Sequence, residues 1–137
     1  MRKMFYLLIL IIVGGLAWIR LAPSKPEVWH VDPQVTADQD LTGGVRRRVA
    51  AESGDFQRLH GIILSTPRTE LVAGGVEDGM ATYVTRSQLM GFPDYTTVKQ
   101  GDGVLEIHAR LRFGVSDTGV NQKRVDGWLE ELRAGGA

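Results

Sequence analysis

The sequence predicts an α+β fold: an N-terminal transmembrane helix followed by a two-layer sandwich of antiparallel sheet and two helices. Three observations carry this expectation. The chain opens on a run that is apolar without a break from Met4 to Ile19. Its second half holds short β-branched or alternating runs punctuated by glycine turns. Two stretches with apolar residues at helical spacing bracket those runs, and helices gathered on one face of an antiparallel sheet are what such an order produces.

The N-terminal run, with Leu21 and Ala22 beyond Arg20, gives about 18 residues, or roughly 27 Å of helix at about 1.5 Å per residue. That approaches the ~30 Å hydrocarbon core of a bilayer. Tyr6 and Trp18 sit near its ends, where amphipathic aromatics settle, and Arg20 can snorkel to the interface. The α-amine, Arg2 and Lys3 precede the run, whereas Arg20 and Lys25 follow it with Glu27 close behind. The positive-inside bias therefore favours a cytoplasmic N-terminus with the remainder on the far side. Gly15-Leu16-Ala17 also has the spacing of a cleavage site before Trp18, so a removed signal peptide is the competing reading and a retained anchor the expectation. The expected organisation is an anchor over 1–22, a linker over 23–27 and a domain over 28–137.

Pro23 and Pro26 cannot continue a helix and end the span. Trp29-His30-Val31-Asp32-Pro33 and the polar residues up to Asp40 read as loop, and Thr42-Gly43-Gly44 as a turn before a strand at Val45–Ala51. Gly54-Asp55 opens a helix with Asp55 as its N-cap; Phe56, Leu59, His60 and Ile63 form its stripe, and Pro67 closes it. Strands are expected at Thr69–Gly74, Met80–Ser87 and Tyr95–Gln100, with Gly101-Asp102-Gly103 as a hairpin turn. In Val104–Phe113, Leu105, Ile107, Ala109, Leu111 and Phe113 alternate with Glu106, His108, Arg110 and Arg112, the pattern of a strand with one face on the core and one in water. The last helix runs from about Asp117 or Gly119 to Arg133, burying Val125, Trp128, Leu129 and Leu132, and Ala134–Ala137 should fray.

Composition excludes several functions. There is no cysteine, hence no disulfide, thiolate nucleophile or Cys-ligated zinc. Residues 22–137 carry 13 Lys+Arg against 16 Asp+Glu, a balance that offers no footprint for nucleic acid. Arg46-Arg47-Arg48 is the only basic block, and a strand with two arginines facing solvent accounts for it. The three histidines, His30, His60 and His108, would all be needed for a histidine metal site, yet His60 lies on an apolar helix face. Neither a metal nor a cofactor is expected. A His108–Ser116 relay lacks the Gly-x-Ser-x-Gly elbow that would support a serine nucleophile.

One junction stands out. Gly114-Val115-Ser116-Asp117-Thr118-Gly119 links the last strand to the last helix, with Arg112 before it and Asn121 and Arg124 after it. Backbone N–H groups and arginines at such a place can meet an anion. A structural reading explains the same residues: Ser116 or Asp117 caps the helix, the glycines permit the turn, and Arg112 pairs with Asp117.

The stretch Arg112-Phe113-Gly114-Val115-Ser116-Asp117-Thr118-Gly119-Val120-Asn121-Gln122-Lys123-Arg124 resembles the C-terminal signature of a bacterial family catalogued as domain of unknown function 1499, roughly R-x-G-x-S-D-x-G-x-N-R-x-R. Gly91-Phe92-Pro93-Asp94 is similar to that family's F-x-D-D segment. The Trp29-His30-x-Asp32-Pro33 opening, the anchor and Ala81–Ser87 look like its alphaproteobacterial members. Tyr95 departs from the pattern where many members have a second aspartate, Gln122 replaces an arginine, and Ala109 and Leu111 replace serines. If the family uses paired carboxylates, this chain keeps one of them. The resemblance names no activity, but it implies that Asp94, Arg112, Ser116, Asp117, Asn121 and Arg124 form one ligand-binding arrangement.

The expected function is a membrane-tethered, non-enzymatic binding or accessory-subunit module of the bacterial envelope or of a membrane protein complex. The expected location is the bacterial inner membrane, crossed once through residues 4–22, with the C-terminal domain in the periplasm. The alternative is an envelope hydrolase, or a protein that binds a small anionic ligand through Arg112, Ser116, Asp117, Asn121 and Arg124.

Overall fold

The computed structural model describes residues 1–135. Its elements are α1 (Arg2–Leu21), α2 (Pro26–Trp29), β1 (Gln39–Leu41), β2 (Gly44–Ala50), α3 (Asp55–Leu64), β3 (Thr69–Gly75), β4 (Met80–Arg86), β5 (Pro93–Gln100), β6 (Val104–Leu111) and α4 (Val120–Gly135). The six strands form one sheet in the order β1-β2-β6-β5-β4-β3, and every neighbouring pair is antiparallel. An N-terminal apolar helix followed by an open antiparallel sheet and helices is the α+β arrangement that the sequence predicts.

The alternation of β6 sets the two faces of the sheet. Leu105, Ile107 and Ala109 point to the side covered by α3 and α4, where they meet Leu59, Ile63 and Val125 in one fully buried core. Burial of that apolar surface is the main stabilising term on this side. β6 ends at Leu111 rather than running on to Phe113, because its partners end there: Gly44 lies opposite Arg110 and Asp94 opposite Leu111. Gly44 has to be glycine, since a Cβ there would come within 2.2 Å of the Ala109 carbonyl oxygen across the ladder. α3 begins one residue earlier than expected. Gly54, at φ +90°, takes the cap position, and Asp55 reaches back to accept the Glu52 N–H at 2.7 Å. α4 continues through Gly135, so Ala134 does not fray, and residues 136–137 lie outside the described residues.

The other face of the sheet is not open to water. The segment from Ala22 to Asp38 lies across it as a strap. Ala22 is 3% exposed, Val35 is fully buried, and Trp29 stacks on Tyr95 at 4.0 Å between ring centroids and 12° between planes. Glu106, read from the sequence as a solvent-facing residue, is buried and accepts the Val35 N–H at 2.6 Å. Arg46 donates to the Pro33 and Gln34 carbonyls and Arg48 to that of Val35. The two arginines expected to face solvent therefore stitch the strap to the sheet. The residues read as a stiff linker are also packed down: Ser24 and Tyr95 share a hydroxyl hydrogen bond of 2.7 Å, and Pro23 offers its carbonyl to Arg112.

α1 leaves this body at the strap. It is 20 residues long with a mean hydropathy of 2.2 over its best window, and none of its residues is buried.

Candidate functional site

Of the six residues singled out at the β6–α4 junction and on β5, four converge. Asp117 sits in the loop before α4, held by donating its N–H to the Thr42 carbonyl. Its carboxylate accepts the N–H groups of Gly119 (3.0 Å) and Asn121 (3.1 Å), which are otherwise unpartnered at a helix start. Asn121 and Arg124 follow at helical spacing on the face of α4 turned to the sheet. Asp94, at the start of β5 and on the same side, completes the group.

Asn121 is the hub. It is fully buried, its amide nitrogen donates to Asp117 Oδ2 at 2.8 Å and to Asp94 Oδ2 at 3.3 Å, and its amide oxygen accepts from Arg124 at 3.0 Å. Arg124 also donates to Asp94 Oδ2 at 3.4 Å, with 18% and 16% of the two side chains exposed. Burial pushes the Asp94 carboxyl above its usual range. The Arg124 charge pulls the other way, and the neighbouring Asp117 adds to the rise. The result is a carboxylate pair bridged by one amide and countered by one arginine. Such a group can share a proton, and here Asp94 Oδ2, Asp117 Oδ2 and the Asn121 amide are engaged with one another and with Arg124. Five surface hollows among the described residues are lined by other residues.

Ser116 and Arg112 stand apart from this cluster. The Ser116 hydroxyl accepts the Thr118 N–H at 3.2 Å, a local turn that helps hold Thr118 at φ +52°. Arg112 follows the parity of Arg110 and falls on the strap side, where it donates to the Pro23 carbonyl at 2.9 Å and to the Tyr95 hydroxyl at 3.0 Å. Its guanidinium lies 5.8 Å from the Trp29 ring and 5.2 Å from that of Phe113.

A second polar group, which sequence pattern did not reveal, lies under the strap. Arg110 donates to the Trp29 carbonyl (2.5 Å), the Thr97 hydroxyl (2.8 Å) and the His108 carbonyl (3.1 Å), and lies 5.4 Å from the Trp29 ring. Thr97 pairs with Thr82, and Thr82 with His30. With no carboxylate bound to it among the described residues, Arg110 is held by carbonyl dipoles and an aromatic face, and burial lowers its pKa to about 10. Burial, with Arg110 and Arg46 nearby, lowers that of His108 to about 4, so this imidazole is neutral. The signal that could have found the group was the Trp29-His30 motif read together with the arginines of β6. His60 lies on the opposite side of the sheet, where it hydrogen-bonds Tyr83 at 2.7 Å, so the three histidines cannot share an ion.

The family model for a protein of unknown function (DUF1499) matches residues 25–132. The chain belongs to the DUF1499 family. No curated protein and no solved structure matches it. The DUF1499 match starts inside the strap, so strap and sheet fall within one family unit. Tyr95, where the chain departs from the family's second aspartate, points to the strap face while Asp94 points to the helices. A carboxylate at position 95 would therefore not sit beside Asp94 on one side of the sheet.

Proposed function

We propose that this DUF1499 protein is a membrane-tethered, non-enzymatic module that serves as a binding or accessory subunit of the bacterial inner membrane, with its domain in the periplasm. One observation carries the reading: the polar cluster best placed to do chemistry bonds chiefly to itself. Asp94, Asp117, Asn121 and Arg124 bond one another and clamp α4 to β5, the work of a structural clasp. An acid–base site needs a carboxyl facing a space that a substrate can enter.

Two further features support the tethered part. α1 combines the length of a span with an apolar surface of which no residue is buried, which water would penalise and lipid or a neighbouring helix would accept. Arg2 and Lys3 favour a cytoplasmic N-terminus. Gly14 and Gly15 leave open space on α1, where another helix could approach closely.

The test is purification of the full-length protein from native membranes in mild detergent, followed by mass spectrometry. A stoichiometric membrane protein partner is the expected result. A lone monodisperse monomer that turns over an envelope substrate, with activity lost in Asp94→Asn, would overturn the reading.

A further inference from the structure

Where α1 meets the domain, two hollows share a wall. The loop Ser87–Phe92, between β4 and β5, is closed on itself: Ser87 donates its N–H to the Phe92 carbonyl, and Phe92 donates its own to the Ser87 hydroxyl at 2.9 Å. It lies directly against α1. Gly91 leaves room for Arg20, because a Cβ there would come within 2.9 Å of Arg20 Cγ. The loop's tip is apolar and uncovered, with Leu89 82% exposed. Leu89 and Met90 face Val13, Leu16 and Ala17 of α1 across a groove of about 380 Å³, which Arg20 closes at one end. Val13 is eight residues before Leu21, so this groove reaches back about 12 Å along the helix.

On the other side of Arg20 lies a hollow of about 370 Å³ bordered by Arg20, Arg68, Arg86 and Glu70. Three arginines against one glutamate leave it cationic. Among the described residues none of the three arginines has a carboxylate within 4.0 Å. Backbone carbonyls fix them instead: Arg20 donates to Leu89 and Met90, Arg86 to Gly91 and Ile19, and Arg68 to Arg86. Carbonyls orient a guanidinium without cancelling its charge, so each keeps N–H groups and its full charge for an anion.

We propose that these hollows are one site, in which Arg20, Arg68 and Arg86 hold the phosphate of an anionic phospholipid and the Leu89–α1 groove holds one of its acyl chains. The inference rests on α1 being a retained membrane span. The order of the site matches that of a lipid: a cationic pocket at the end of the helix, where headgroups lie, and an apolar groove running back along the helix to hydrocarbon depth. A soluble phosphate ester would use the first hollow and have no use for the second.

The experiment is native mass spectrometry of the full-length protein in mild detergent, titrated with phosphatidylglycerol or phosphatidylcholine, beside a carbonate wash of native membranes. One phosphatidylglycerol should be retained at least about ten-fold more than phosphatidylcholine. Arg68→Gln should lower that retention several-fold. Leu89→Ser, at a position too exposed to disturb folding, should lower lipid retention while leaving any inorganic phosphate binding unchanged. Equal retention of the two lipids, no effect of either variant, or phosphate binding without lipid binding would overturn the proposal. Release of the protein by carbonate would instead count against the membrane span, and lipid retention in detergent is scored independently of that result.

Discussion

The two faces of the sheet are built on different principles. The helix side is an apolar core with polar clasps at its rim: Arg47 of β2 on Asp126 of α4, and Asp94 of β5 on residues at and just before the start of α4. The strap side has little apolar core. It is held by arginines on backbone carbonyls, threonine hydroxyls in a chain and one aromatic stack. A helix face becomes buried by hydrophobic periodicity, whereas a polar sheet face becomes buried only when another segment supplies a partner for each polar group. The comparison teaches that a polar strand face need not be a wet one.

The largest expected effect is on the strap side. Trp29→Ala removes the stack on Tyr95 and the ring beside Arg110 and Arg112, and should cost about 3 kcal/mol, the lower end for a large aromatic because the side chain is only half-buried. Urea unfolding of the full-length protein in mild detergent measures it, and hydrogen exchange over residues 22–38 should rise sharply. On the helix side, Asn121→Ala leaves two carboxylates and an arginine without their shared partner and should cost about 2 kcal/mol. If it costs more than Trp29→Ala, the ranking of the two faces is reversed.

Acid separates the faces further. The folded-state pKa of His108 falls from its ordinary 6.5 to about 4, so its contribution is fully present above 6.5 and is lost as pH falls toward 4. Discounted for partial exposure, the loss is about 1–2 kcal/mol, and His108→Gln should flatten it in a pH series of melting curves. Asp94 works in the opposite sense. Its pKa is raised in the fold, so its protonated form contributes below the unfolded value, and that contribution is lost as pH rises through the folded value. Asp94→Asn should flatten that rise-linked loss and leave the His108 branch intact. The smallest effect is expected from Ser116→Ala, within about 0.5 kcal/mol, because its hydroxyl closes only a local turn.

What was legible in the sequence divides along the same line. The alternation of Val104–Leu111, the stripes of α3 and α4 and the hairpin at Gly101-Asp102-Gly103 are local patterns, and the structure reproduces them to within a few residues. β1 was missed because its three residues are all exposed and pair only with β2, which leaves no apolar pattern to read. The strap was missed because its partners lie far along the chain: Val35 meets Glu106 across 71 positions and Trp29 meets Arg110 across 81. In the candidate site, Asp117, Asn121 and Arg124 were legible through cap and helical spacing, and Asp94 only through family resemblance. Arg112 goes to the other face because strand parity continues past the end of β6, which proximity in sequence does not reveal.

The attachment of α1 has a consequence of its own. Tethered domains commonly swing on slack chain, sampling a hemisphere whose radius is set by the linker. Here α1 ends at Leu21, Ala22 is already buried, and Pro23 and Ser24 are fastened to Arg112 and Tyr95 beside the two central strands. There is no slack to swing on, so with α1 as the proposed membrane span the domain would hang by its middle at one height above the bilayer. A partner of the kind proposed would have to offer its surface at that height, and one that reached a few ångströms too high or too low would be excluded by geometry before any side chain is compared.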